Sequence, residues 1–239
     1  MTLLWSELQA AVALIVDGNP TLWSVIGFTL QVVAIATGVA AIVGIPIGLT
    51  IGLGRFRARR VCQALANASL GLPPALVGTG LFLLFARPAP LGALELVFTR
   101  RAVFIAQSIL ALPYTVALTA AAVQGLAPGL LDQARRLGAS RPQVFVLALR
   151  EARVGVMAAI IAALGTALSE VAAIAIVGGN AYGYDQTLAS ATLFQVDAGN
   201  YADALAIAIV LVALILVLMC GAGVLQQRVG IRLRFAPSR

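Results

Sequence analysis

Long uninterrupted runs of apolar residues alternate along this chain with short segments that carry nearly all of its charge. A helix needs about 20 apolar residues to cross the roughly 30 Å hydrocarbon core of a bilayer. Five runs reach that length, and their continuous rather than alternating hydrophobicity excludes the strands of a membrane barrel. They predict an all-α polytopic membrane protein with about five transmembrane helices, over residues 24–54, 61–86, 102–131, 154–179 and 204–227.

The composition supports the same class. Hydrophobic residues make up 61% of the 239 positions and charged residues 10%, against about 45–50% and 25% in soluble domains. The two cysteines lie in or beside apolar runs, and the chain contains no histidine. A disulfide, a metal site of the usual ligand spacing and histidine-based catalysis are therefore not expected.

Arginine supplies all 16 basic residues, and its distribution predicts the orientation of the spans. Thirteen arginines fall on one side, and only Arg87, Arg100 and Arg101 fall on the other. The positive-inside rule therefore places the N-terminus outside and the C-terminus in the cytoplasm. Because the clusters flank apolar spans, the net charge of +7 indicates contact with membrane lipid and not with nucleic acid.

Three regions follow: an N-terminal segment at 1–20, a transmembrane domain at 21–227 with a cytoplasmic loop at 127–153, and a basic tail at 228–239. The N-terminal segment lacks the basic start of a cleavable signal. It is interpreted as an interfacial amphipathic helix, with a weakly ordered tail as the alternative.

Small residues recur every four positions in the first span, at Ala36, Ala40, Gly44, Gly48 and Gly52. Such a row predicts a flat helix face for close packing, and a lipid or ligand role is the less favoured alternative. Prolines also interrupt several spans. Broken backbone at membrane depth requires surrounding protein or a water-filled cavity, so they indicate either a pathway wall or ordinary packing. The proline-containing positions are Pro46, Pro113 and the stretch GLPPALVGTG at 71–80.

Glu170 is the only acidic residue deep within an apolar run. Since an ionised side chain near the bilayer centre costs about 2.5–3.5 kcal/mol, such residues face a bundle interior or a cavity. Glu170 is therefore interpreted as a hydrogen-bond anchor or a gate, and direct binding of an anion by its carboxylate is disfavoured. After it, Gly178 and Gly179 form either an anion-friendly nest of N–H groups or a simple helix stop.

The cytoplasmic loop has the pattern of two short helices joined by a turn. In LLDQARRL, Leu130, Ala134 and Leu137 share one face of a two-turn helix, and Gly138 supplies its C-cap. In SRPQ, Ser140 is the N-cap of a second helix, and the Gln at its third position completes a capping box. A solvated loop would not need two capped helices, so the pattern favours docking to a cytoplasmic partner.

The stretch LDQARRLGAS resembles the EAA loop of permease subunits of binding-protein-dependent ABC importers. Asp132 stands for the acidic residue of that loop, Ala134 for its second Ala and Gly138 for its Gly, while Gln133 replaces the first Ala. With LPPALVG, IAQSILALP and SEVAAIAIVGGN, the chain is similar over nearly its whole length to the tungstate transport permeases of that family.

The resemblance implies a type I importer permease in a bacterial or archaeal cytoplasmic membrane. Its partners would be a second permease copy, a cytoplasmic ATP-binding subunit and an extracytoplasmic substrate-binding protein, and its substrate an oxyanion, tungstate before molybdate. No phosphate-binding loop of the G-x-x-x-x-G-K-[ST] type occurs in the chain, so no cofactor is expected here and ATP and Mg would belong to the ATPase.

The implied roles fall into two sets. The ATPase-coupling residues would be Asp132, Ala134, Gly138, Ser140 and Arg141. The residues along or near the translocation path would be Glu170, Gly178, Gly179 and Asn180, with Asn180 able to donate hydrogen bonds to an anion.

Two other classes of protein remain open at this point. A stand-alone secondary transporter would be expected to show internal repeats and intramembrane charge pairs. A membrane scaffold would not need proline-broken spans or a buried glutamate.

Overall fold

The computed structural model describes residues 20–54 and 56–234, and before them only positions 5, 9, 12, 13, 15 and 16. Most of the predicted interfacial segment at 1–20 therefore lies outside the described residues, as does the end of the basic tail. Within residues 20–54 and 56–234 the chain forms ten α-helices and one short 3-10 helix, Gly92–Leu94. The α-helices are α1 (Pro20–Leu53), α2 (Arg59–Ser69), α3 (Pro74–Phe85), α4 (Arg100–Gln124), α5 (Leu130–Arg136), α6 (Arg141–Glu151), α7 (Arg153–Ser169), α8 (Ala172–Gly178), α9 (Leu188–Asp197) and α10 (Tyr201–Arg234).

Three of these helices, α1, α4 and α10, are each long and apolar enough to cross a membrane. Two of them end elsewhere than predicted. Helix α4 ends at Gln124 and not at 131, because Pro128 cannot continue the helix and a turn follows Gln124. Helix α10 continues to Arg234, so the predicted boundary between 227 and 228 falls inside a helix.

The other two predicted spans are bent pairs of short helices. Helices α2 and α3 meet at 100°, and α7 and α8 meet at 59°. The first bend lies in the predicted glycine- and proline-rich stretch, whereas the second has no such residue at its break. Counting each bent pair as one span gives up to five spans, in agreement with the predicted fold class.

The described chain divides into two compact units, and four of the five boundaries between them fall within helices. The first unit comprises residues 1–36, 72–110 and 165–218. Its core includes Phe85, Ala102, Ala106 and Val177, from α3, α4 and α8. Helices α3 and α8 are in close contact, and a Cβ at Gly78 would lie 2.8 Å from the Cα of Ala173.

The second unit comprises residues 37–71, 111–164 and 219–239. Within it, the small residues of α1 face α4. A Cβ at Gly48 would lie 2.6 Å from the carbonyl oxygen of Val116, and a Cβ at Gly52 would lie 2.7 Å from the Cβ of Val123. The hydroxyl of Thr115 donates to the carbonyl of Ala40 across 2.8 Å. The prediction that this row serves helix packing is confirmed in this unit.

Replacing Gly48 by Ala should therefore destabilise the protein. The added methyl group must push apart two backbones, and overpacking of this kind costs about 1–3 kcal/mol. We expect the midpoint of thermal unfolding in nanodiscs to fall by roughly 2–10 °C.

Gly38→Ala is the matched control, because it makes the same chemical change in the same helix with nothing within 4 Å of the new Cβ. It should leave the midpoint unchanged or raise it, since Ala favours a helix over Gly. Equal effects of the two changes would show that Gly48 is not a packing position.

Candidate coupling and translocation sites

The predicted coupling segment is a rigid helix–turn–helix in the second unit. Gly138 ends α5 with φ +85°, a backbone conformation that costs other residues about 1–2 kcal/mol. Its N–H donates to the carbonyl of Arg135 (3.1 Å), and the N–H of Ala139 donates to that of Ala134 (3.0 Å). These two bonds form a Schellman motif, so the predicted glycine C-cap is confirmed.

The second helix of the segment begins at the predicted capping box. The backbone N–H of Ser140 donates to Oε1 of Gln143 across 2.7 Å. The Ser140 side chain in turn accepts from the backbone at that third position. Since the Schellman motif ends one residue before this box begins, the turn between α5 and α6 has almost no unpaired backbone to let it flex.

The charges of α5 follow the helix dipole, whereas α6 begins with a cation and ends with the acidic Glu151. Asp132 lies in the first turn of α5, and it pairs with Arg135 in the last turn across 2.8 Å. Both positions are favourable, because helix N-termini attract negative charge and C-termini attract positive charge. Arg141, in contrast, is an exposed cation in the first turn of α6. Helix stability does not explain that placement, and contact with an acidic partner would.

The outer surface of the segment presents apolar side chains that the other described residues do not cover. No residue of α5 is buried, and Leu137 is 89% exposed. Of the predicted apolar face, Leu130 and Ala134 are half-buried and Leu137 is not packed at all. An open groove beside it is lined by Ala134, Leu137, Gly138, Gln143, Val146 and Arg150.

Glu170 lies in the break between α7 and α8, within the first unit. Its side chain is largely buried, and Oε1 accepts the backbone N–H of Ala173 across 3.0 Å. Of the two interpretations of Glu170, this contact matches the hydrogen-bond anchor, because it satisfies one of the N–H donors left free at the start of α8. A gating role for Glu170 stays a prediction.

Gly178 and Gly179 end α8, which favours the helix-stop interpretation over an anion nest. Gly179 has φ +89° and its N–H donates to the carbonyl of Ala175 across 3.1 Å. Gly178 is buried, and a Cβ there would lie 2.7 Å from Cγ2 of Val103. Gly178 therefore packs against α4, and its place near a path stays a prediction.

Asn180 organises the loop that follows. It has φ +54°, its Nδ2 donates to the carbonyl of Ser190 (3.3 Å), and its own carbonyl accepts from Gln186 (3.1 Å). One of its two amide hydrogens is thus engaged within the protein. The predicted donation to an anion would have to use the other.

Sequence reasoning missed two residues that fix the same loop. Asp185 is fully buried, and its Oδ1 accepts the N–H of Ala181 across 2.5 Å. Burial raises the pKa of the Asp185 carboxyl, although hydrogen bonds to the backbone and the positive charge of Arg100 oppose the rise. Nε of Arg100 donates to the carbonyl of Tyr184 (2.6 Å), and the guanidinium lies 4.9 Å from the ring centroids of Phe28 and Tyr184.

No signal in the sequence distinguishes Asp185, because an acid in a polar loop is usually solvated. Arg100 was used only to assign orientation. In the structure, the five predicted coupling residues share one helix–turn–helix of the second unit, and the four predicted path residues share the surroundings of α8 in the first unit.

Comparison with known proteins gives these sites a context. Among curated proteins, a probable anion ABC transporter permease of Haloferax volcanii is 35% identical over 81% of this chain and 85% of its own length. The tungstate uptake system permease TupB of Peptoclostridium acidaminophilum is 30% identical over 85% of the chain and 89% of its own. A putative molybdenum transport system permease of Bacillus subtilis is 28% identical over 72% and 79%.

Among solved structures, the inward-facing MetNI methionine ABC transporter matches with a TM-score of 0.73 at 18% identity, over 89% of this chain and 99% of the other. That likeness shows the fold of an importer permease. The family model for the inner membrane component of binding-protein-dependent transport systems matches residues 44–231. Since this match covers most of the chain, the protein belongs to that family of multi-pass inner membrane permeases.

Proposed function

We propose that this chain is the transmembrane permease subunit of an ATP-driven oxyanion importer. Tungstate is the favoured substrate, ahead of molybdate. The observation that carries the proposal is the capped helix–turn–helix of α5 and α6, with Leu137 exposed on its outer surface. A separate ATP-binding subunit would grip this element from the cytoplasm. A second copy of the chain and an extracytoplasmic binding protein would complete the assembly.

The connection between α6 and α7 supports a mechanical role for this element. Helix α6 ends at Glu151 and α7 begins at Arg153, and helical hydrogen bonds continue through Ala152. The N–H of Ala152 donates to Ala148 (2.8 Å), and that of Val156 donates to Ala152 (2.9 Å). A displacement of α6 would therefore reach α7 through a single turn residue, Ala152.

The same helix junction is anchored in the core of the second unit. Ala148, Ala152 and Val156 form one buried cluster with Leu49 of α1 and Val123 of α4. Because interiors pack as densely as organic crystals, a push on α6 would be transmitted to these neighbours and not absorbed by voids. Such an element suits the coupling of ATP hydrolysis in a partner to movement of the permease.

The identity of the anion rests on the relatives. One is described as an anion permease and one as a tungstate permease, while the molybdenum relative favours molybdate as the second candidate. Glu170 would act beside the path by anchoring α8 and not as a ligand, since a carboxylate repels an oxyanion.

Uptake by the reconstituted complex tests the function. The chain would be purified with its co-purifying ATPase, supplied with the binding protein, and assayed for uptake of labelled tungstate, molybdate and sulfate. We expect ATP-dependent uptake in the order tungstate, molybdate, sulfate. The same vesicles without ATP are the control. Uptake without ATP, from a chain that co-purifies with no ATPase, would identify a secondary transporter instead.

Gly138→Trp should uncouple ATP hydrolysis from uptake. The indole would occupy the groove beside Leu137, where nothing now lies within 4 Å of a Cβ at Gly138, and would block the partner. We expect uptake per ATP hydrolysed to fall on the order of tenfold, which is the effect of losing one central interface contact.

Gly138→Ala is the control for this variant, because it carries the same positive-φ strain but adds only a methyl group. It should keep coupled transport. Full coupling in the Trp variant would show that this turn does not contact the ATPase.

Replacement of Glu170 distinguishes an anchor from a required charge. Glu170→Gln keeps an oxygen acceptor for the Ala173 N–H and should retain most transport, whereas Glu170→Lys removes the acceptor and should abolish it. Uptake and thermal stability would be measured together, with the exposed Glu151→Gln as a control for loss of a negative charge. Equal loss with Gln and with Lys would indicate that the negative charge itself is needed.

A further inference from the structure

A glutamine buried in the first unit has no hydrogen-bond partner among the described residues. Gln107 of α4 is 0% exposed, and neither its Oε1 nor its Nε2 is bonded. The two other buried glutamines differ, because Gln186 donates to the carbonyl of Asn180 and Gln195 accepts from Asn200. Within a membrane span neither lipid nor apolar side chains can satisfy an amide, so Gln107 requires a specific partner.

The register of α4 against α8 shows what lies beside Gln107. Phe98, before α4, contacts Gly179, and Val103 contacts Gly178 and packs in one cluster with Ile174. The two helices are therefore antiparallel along this stretch. Gln107 is one turn beyond Val103 on the same face, which brings it level with the beginning of α8 and with the α7–α8 break.

That break contains polar backbone groups without helical partners. Helix α7 ends at Ser169 and α8 begins at Ala172. The last carbonyls of one helix and the first N–H groups of the next lack helical backbone partners, although the Ser169 hydroxyl donates to the carbonyl of Thr166 across 3.4 Å. The Glu170 carboxylate takes one of them, the N–H of Ala173. Others must find partners elsewhere.

The side chains that α1 presents near this level are apolar. Phe28 and Val32 of α1 pack against Val103 and Ile174. The next turn of α1 presents Ala36, which is fully buried. The side chain of Ala36 is a methyl group, so it cannot supply a hydrogen bond to the Gln107 carboxamide.

We propose that Gln107 and the α7–α8 break form a binding site for one buried water molecule. A buried water needs two to four polar partners, and the carboxamide together with the freed backbone groups supplies them. The amide suits this role because it both donates and accepts. Gln107 is then a positioning residue, which ties α4 to the bend through the water.

A water-mediated link has a consequence for transport, and this consequence rests on the proposed function. A direct bond would fix the angle between α7 and α8. A bridging water can exchange among several backbone groups while the angle changes, so the break keeps its hydrogen bonds in more than one state of the importer. The site itself does not depend on any transport activity.

The thermal unfolding midpoint of Gln107→Met in nanodiscs tests the site, because the proposal predicts a decrease and an unpaired amide predicts none. Methionine keeps the length of the side chain but cannot hydrogen-bond as an amide does. If Gln107 holds a water, its loss should lower the unfolding midpoint by roughly 2–6 °C. If the amide is unpaired, methionine removes a cost, and an unchanged or higher midpoint would overturn the proposal.

Ser108→Ala is the matched control, since Ser108 lies next in the same helix and donates only to the carbonyl of Phe104 within that helix (2.7 Å). Its midpoint should stay within the error of the wild-type value.

Radiolytic labelling separates a water from a direct protein bond. Hydroxyl radicals generated from bound water modify adjacent side chains, here Val103 and Ile174. We expect labelling of these residues in the wild-type protein and a loss of several-fold in Gln107→Met. Absence of labelling in the wild type would refute the water even if the midpoint falls.

Uptake by Gln107→Met, measured at a temperature where it is fully folded, tests the consequence. A slower transport rate is expected. Unchanged uptake with a lowered midpoint would overturn the role in the transport cycle, and failure of the wild type to transport would bear on the proposed function alone.

Discussion

Backbone polar groups within a bilayer must be satisfied inside the protein, and the two helix breaks of this chain show that constraint solved in different ways. Between α2 and α3, Pro73 and Pro74 have no N–H, so the beginning of α3 exposes fewer donors. At the end of α2, turn hydrogen bonds run from the backbone N–H of Leu70 to the carbonyl of Asn67 (3.2 Å) and from that of Gly71 to the carbonyl of Ala68 (3.1 Å). This break is largely satisfied by its own residues.

The break between α7 and α8 relies on side chains instead, since the Ser169 hydroxyl donates to the carbonyls of Gly165 (3.0 Å) and Thr166 (3.4 Å). It contains neither proline nor glycine, and it contains an acidic side chain despite the cost of a charge near the membrane centre. That cost is offset because Glu170 supplies a strong acceptor to Ala173. Close packing completes the support, since only a glycine at position 78 lets α3 approach Ala173.

Sequence reasoning predicted those features that depend on local chemistry. Continuous apolar runs predicted α1, α4 and α10, because a helix that crosses a bilayer must be long and apolar. The Gly138 C-cap and the Ser140 capping box were predicted from residue types that act within four positions of one another. The small-residue row was predicted because its spacing matches a helix face.

Features that depend on tertiary contacts were not predictable in the same way. The break after Ser169 has no helix-breaking residue, so its position is set by Glu170 and by packing of α8. Helix α9 was missed because its capping box pairs Thr187 with Ser190 and not with a Glu or Gln. Asp185 was not singled out, because its burial arises from the fold of the loop.

All basic residues of the chain are arginines, and an arginine that helps to orient the spans can also hydrogen-bond the carbonyls at a helix terminus. Nε and Nη2 of Arg59 donate to the carbonyls of Ile51 (3.0 Å) and Gly52 (3.3 Å), which lie in the last turn of α1. A planar guanidinium can serve two carbonyls at once, whereas a lysine ammonium lacks that fixed geometry. An arginine of the positive-inside clusters therefore also satisfies carbonyls that α1 leaves open where it meets the cytoplasmic surface. Loss of its charge would weaken the helix terminus as well as the topological signal, so the two functions constrain this position together.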